Sequence, residues 1–71
     1  MKYLLKIDGM NCSMCESHVN DAIRNNFNIK KVKSKHKTGD VLIETNEPLD
    51  INKLTNTLNS TGYNVLDLKE E

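Results

Sequence analysis

Cys12 and Cys15 are the only cysteines in a chain of 71 residues. A thiol pair at this spacing admits two chemistries, soft-metal binding and thiol–disulfide exchange. A disulfide between them would close too short a loop to add much chain-entropy stabilisation, so their use is chemical rather than structural. Soft sulfur ligands favour Cu(I), whereas Zn(II) or an iron–sulfur cluster normally takes about four protein ligands. This chain offers two sulfurs. Met14, between them, reads as an exposed residue and not as a thioether ligand, the thioether being the weaker donor. His18 completes a C-x2-C-x2-H pattern that resembles part of a zinc site. On a helix, however, it stands one turn further from the pair, which makes it a residue of the solvated face. His36 reads as a strand residue at a sheet edge or end, and neither histidine is offered as a ligand.

The elements on either side must aim the two sulfurs. Tyr3, Leu5 and Ile7 alternate with Leu4 and Lys6, the period of a strand, which Asp8 and Gly9 end. From Ser13 the period changes: Cys15, Val19, Ala22 and Ile23 share one face of a helix. Ser13 is the expected N-cap, with Glu16 completing a capping box, and the asparagines between Asn25 and Asn28 end the helix. The pair therefore sits where a strand hands over to a helix N-terminus, whose N–H groups and dipole favour thiolate. Residues 29–45 predict a hairpin, with Lys31, Lys33, Lys35 and Lys37 on one face, Val32, Ser34 and His36 on the other, and Thr38-Gly39-Asp40 as the turn. Asp50 caps a second helix with Ile51, Leu54 and Leu58 as its buried stripe; Gly62 stops it, and Tyr63 to Leu68 form a last strand. The order β-α-β-β-α-β predicts an α+β ferredoxin-like fold, with two helices on one face of a four-stranded antiparallel sheet.

Composition narrows the function classes. Ten Lys+Arg balance ten Asp+Glu, and hydrophobic residues make up 37%. Residues 1–71 are expected to form a single domain, too small for an enzyme with a buried cleft. Lys6 and Asp8 interrupt the N-terminal apolar patch before it can become a signal core or a membrane span. A two-cysteine chain of this kind is expected in the reducing cytoplasm, without membrane insertion. The lysine row reads as a solvated face guarding an edge strand. An RNA-reading sheet would display stacking aromatics, and Tyr3, Phe27 and Tyr63 are too few, so no nucleic acid is expected.

The segment GMNCSMC fits a GMxCxxC pattern on the first loop of a βαββαβ chain. With Ile7, Val19, Ala22, Ile29, Val32 and the Gly62-Tyr63 pair at matching places, the sequence resembles the heavy-metal-associated domain family over nearly its whole length. That family includes bacterial CopZ-type copper chaperones and the N-terminal domains of copper-transporting P-type ATPases. The resemblance implies a non-enzymatic copper chaperone in which Cys12 and Cys15 bind Cu(I) in near-linear geometry. It further implies transfer by ligand exchange to a metal-transporting P-type ATPase or another CxxC acceptor. Met10 is implied as a core residue that holds the loop, and Tyr63 as a neighbour of the metal loop. The chain departs from the family's pattern at Ser34 and His36, where apolar residues are usual, and at Asn26, where an aliphatic is common; Phe27 compensates. Alternatives are a carrier of Hg, Zn or Cd, though neutral Asn11 lacks the carboxylate expected beside a zinc pair, and a small thiol-disulfide oxidoreductase. Against the oxidoreductase stand the length, the lack of Trp or Pro beside the pair, and the remote Pro48. Met1 and the charged Lys69-Glu70-Glu71 ending fit a free-standing monomer, and exposed thiolates permit a metal-bridged dimer.

Overall fold

The computed structural model describes residues 1–71. Strand β1 (Lys2–Asp8) leads into helix α1 (Ser13–Asn26), followed by β2 (Lys31–Lys35), β3 (Asp40–Glu44), helix α2 (Ile51–Ser60) and β4 (Asn64–Glu70). The sheet runs β2-β3-β1-β4, and every neighbouring pair is antiparallel. This is the α+β ferredoxin-like arrangement that the pattern of alternation predicts.

Alternation decides which side of the sheet the helices cover. Tyr3, Leu5, Ile7, Val32, Val41 and Ile43 are buried beneath α1 and α2, whose Val19, Ile23, Leu54 and Leu58 complete the core. Full burial of one such aliphatic side chain is worth roughly 1.5–3 kcal/mol. The opposite face carries Lys2, Lys6, Lys31, Lys33 and Lys35, all exposed. Tyr3 and Tyr63 are buried and Phe27 packs half-buried against the core, so the aromatic rings lie with the helices rather than on the open sheet.

Four local expectations need correction. Cys12, not Ser13, is the N-cap of α1, its side chain makes no capping hydrogen bond, and Glu16 reaches away to His36 instead of back to the cap. Ile51 is 38% exposed, so the buried stripe of α2 is Leu54 and Leu58. Leu49, just before the helix, packs on the core in its place, and its N–H donates to the Tyr3 hydroxyl at 3.1 Å. Lys37 lies in the turn and Asp40 already in β3. His36 likewise follows β2 rather than ending it.

The C-terminus of α2 is closed as expected. Gly62 adopts φ +100°, its N–H donates to the Asn59 carbonyl, and the Tyr63 N–H donates to that of Leu58 at 2.9 Å. This 6→1 and 5→2 pair is a Schellman motif, which needs the left-handed residue that glycine supplies. The motif turns the chain so that Tyr63 enters the core ahead of β4.

Candidate functional site

The two sulfurs lie where β1 gives way to α1. Gly9 (φ +111°) makes the exit from the strand, and a Cβ there would stand 3.1 Å from the Tyr63 ring and 3.2 Å from the Gly62 carbonyl. A glycine is required both by the backbone angle and by this close approach. Met10, 7% exposed, pins the loop into the core. The backbone of Cys12 is extended (φ −158°, ψ 174°), and its carbonyl accepts from the N–H groups of Cys15 (3.1 Å) and Glu16 (3.3 Å). Residue 12 is thus outside the helix and residue 15 in its first turn, which lets side chains three apart converge.

They do converge: Sγ of Cys12 and Sγ of Cys15 are 3.7 Å apart, both as free thiols. Cys12 is exposed and Cys15 is half-buried, resting against the core. The Cys15 thiol is held below its ordinary pKa, first by the Asn11 backbone N–H, then by the Tyr63 phenol and the Cys12 thiol. Hydrogen bonds to the charged form of a thiol favour that form. The Tyr63 phenol moves the other way: burial raises its pKa most, and the neighbouring Cys15 adds to the rise. Tyr63, which the Schellman turn brings into the core, therefore keeps its proton while favouring ionisation of the Cys15 thiol.

The other candidates separate cleanly. Met14 is 68% exposed and His18 is exposed on the outer face of α1, as the helical offset predicts. His36 lies beside Glu16, whose Oε2 accepts from the His36 backbone N–H at 2.7 Å and meets His36 Nδ1 at 2.5 Å. A carboxylate only accepts, so Nδ1 carries the proton. The backbone N–H of His36 is the main cause that holds the Glu16 carboxyl below its usual pKa, with the imidazole second. Two residues back along the chain, Ser34 is buried and donates to Asn20 Oδ1. Sequence reading noted Ser34 and His36 as polar where apolar residues are usual, but missed their partners on α1. A signal was present: Glu16 and Asn20 are spaced i, i+4, and Ser34 and His36 are spaced i, i+2, which are the repeats of one helix face and one strand face.

Nowhere do three or more His, Cys, Asp or Glu side chains converge. The thiol pair thus stands without a third such side chain and is open on the side of Cys12. No helix is long and apolar enough to cross a membrane.

A family profile described as "Heavy-metal-associated domain" matches residues 4–64. No curated protein matches the chain. Among solved structures, "CopZ metallochaperone" superposes with TM-score 0.84 at 21% identity, covering 93% of this chain and 100% of that one. The N-terminal domain of ZntA in the Zn(II) form gives TM-score 0.80 at 22% identity, over 90% and 86%. Oxidized MerP from Ralstonia metallidurans CH34 gives TM-score 0.80 at 25% identity, over 99% and 97%. The likeness to CopZ and to the ZntA domain establishes the fold.

Proposed function

The chain belongs to the heavy-metal-associated domain family, and from that premise we propose that it is a copper chaperone of CopZ type. Cys12 and Cys15 bind one Cu(I), and the ion passes by ligand exchange to a copper-transporting P-type ATPase or another acceptor with paired cysteines. The observation that carries this reading is the pair of sulfurs 3.7 Å apart with no third His, Cys, Asp or Glu beside them. A soft monovalent ion is satisfied by two thiolates, whereas the harder or higher-coordinate ions are not.

Cys12, exposed, is the sulfur that an incoming acceptor would displace first. Two thiolates and a monovalent cation carry net negative charge, and the Tyr63 phenol facing Cys15 supplies a donor to offset it. The pair works as thiolates, and the reducing cytoplasm is the compartment that we propose for the carrier.

A second reading, a Zn(II) carrier, draws support from the same distance, because the edge of a tetrahedron with bonds of about 2.3 Å is about 3.75 Å. It needs two ligands from elsewhere. The experiment is native mass spectrometry of the reduced protein with Cu(I) and Zn(II) in competition. We expect one Cu(I) per chain, lost in Cys12→Ala. Preferential retention of Zn(II), or Cu(I) affinity unchanged in Cys12→Ala, would overturn the copper reading.

A further inference from the structure

Helix α1 carries Cys15 in its first turn, and that turn has no side-chain cap. Something else must fix it. The Glu16 carboxylate, half-exposed and next in sequence to Cys15, crosses to the turn after β2 and takes two bonds there, from the His36 backbone N–H (2.7 Å) and from Nδ1 (2.5 Å). One helical turn along, Asn20 accepts from the buried Ser34 hydroxyl. Two successive polar ties on one face of α1 thus meet two alternate residues along β2 and its turn, while Val19 and Ile23 on the adjacent face hold the core.

We infer that Glu16 and His36 are positioning residues, a clasp that sets where the first turn of α1 holds the Cys15 sulfur relative to Cys12. The inference rests on the metal-carrier reading for its purpose, but not for its geometry. An uncapped helix end frays unless its first turn is tied down, and here the tie lands one residue from the half-buried thiol. With the clasp closed, Cys15 stays against the core as the anchored sulfur and Cys12 remains the mobile one. With it open, Cys15 gains freedom to swing outward, and the sulfur separation ceases to be set by the fold. The capture of Glu16 Oε2 by two nitrogens of His36 also explains why the expected capping box does not form.

The test uses the whole reduced chain. Alkylation of each cysteine by iodoacetamide, resolved by peptide mass, is followed to the high-pH plateau, where the thiols are fully ionised and pKa no longer influences the rate. The variants are Glu16→Ala, His36→Ala and His36→Asn, the last restoring a side-chain donor. We expect the Cys15 plateau rate to rise at least threefold in Glu16→Ala, to rise less in His36→Ala, whose backbone N–H still reaches Glu16, and to return toward wild type in His36→Asn. The Cys12 rate should change little. Cu(I) release to a chromophoric chelator should accelerate in the same order. Unchanged Cys15 rates alongside a lowered urea midpoint would overturn the inference and leave the clasp a purely structural contact. Failure of the wild-type chain to bind Cu(I) would strike the function proposed above, while the alkylation rates would still decide the clasp.

Discussion

Cys15 and Tyr63 shift each other's ionisation in opposite directions. The phenol, buried, keeps its proton, and the thiol, touched by that phenol and by the Asn11 N–H, gives its proton up more readily. Tyr63→Phe keeps the ring in the core and deletes the donor, so the ionisation midpoint of Cys15, read from alkylation rate against pH, should move upward with the fold retained. A depressed folded-state pKa also means that ionised Cys15 contributes stability above the unfolded thiol's pKa, and that the contribution is lost as pH falls through the folded value. Removing either sulfur has unequal consequences for stability. Cys12 is exposed and Cys15 packs on the core, so Cys12→Ser should lie within about 0.5 kcal/mol of wild type while Cys15→Ser costs nearer 1 kcal/mol, by urea titration. The types and spacing of the thiols were legible in the sequence. Their unequal burial was legible in part, because helical spacing puts Cys15 on the face of Val19 and Ile23 and leaves Cys12 ahead of the helix.

Helix α1 meets β2 through polar ties where two apolar surfaces would suffice. Ser34 is buried and its hydroxyl has Asn20 as partner. Asn20→Ala should therefore cost about 1–3 kcal/mol by leaving a buried hydroxyl unpaired, and Ser34→Ala added to it should recover much of the loss. A double-mutant cycle in urea reads this directly. Glu16 makes a different, pH-dependent contribution. Its folded-state pKa is lowered by the His36 backbone N–H and ring, so its stabilisation is present above the ordinary carboxylate range and is lost as pH falls through the lowered value. The stability gap between wild type and Glu16→Gln should shrink over that acid range, measured by thermal melts at stepped pH. Strand alternation, the Asp50 cap and the Gly62 stop were legible because each is a local pattern; the Asp50 carboxylate does accept from the Lys53 N–H. The Glu16–His36 tie was not legible, since its members are 20 residues apart and the local capping-box pattern pointed Glu16 elsewhere. Ile51 failed for a related reason: helical spacing places it on the right face, but as the first residue of α2 it lies at the rim, and Leu49 fills the space.

The whole molecule folds around a core that excludes both sulfurs, and on the proposed function this sets how far metal and fold are coupled. The twelve buried hydrophobic residues include neither cysteine, so the apo chain should fold on its own. Its margin is small: a core of this size supplies at most about 3–5 kcal/mol net. Leu54 is fully buried, and Leu→Ala at such a site costs about 2–5 kcal/mol, so Leu54→Ala should be largely unfolded near room temperature by circular dichroism. A ligand that bound only the folded state at a thousandfold excess over its dissociation constant would restore about 4 kcal/mol. Cu(I) should restore much less. The two ligands are three residues apart, so the unfolded chain can bring them together around the same ion, and only the difference in affinity between folded and unfolded claws enters the linkage. That difference comes from what the fold adds to the site, namely the Tyr63 donor and the anchored position of Cys15. Cu(I) should therefore raise the wild-type Tm by only a few degrees and leave Leu54→Ala mostly unfolded, in contrast to a structural zinc domain that folds only with its metal. Full rescue of Leu54→Ala by Cu(I) would mean that the folded claw holds the ion far more tightly than the bare CxxC segment.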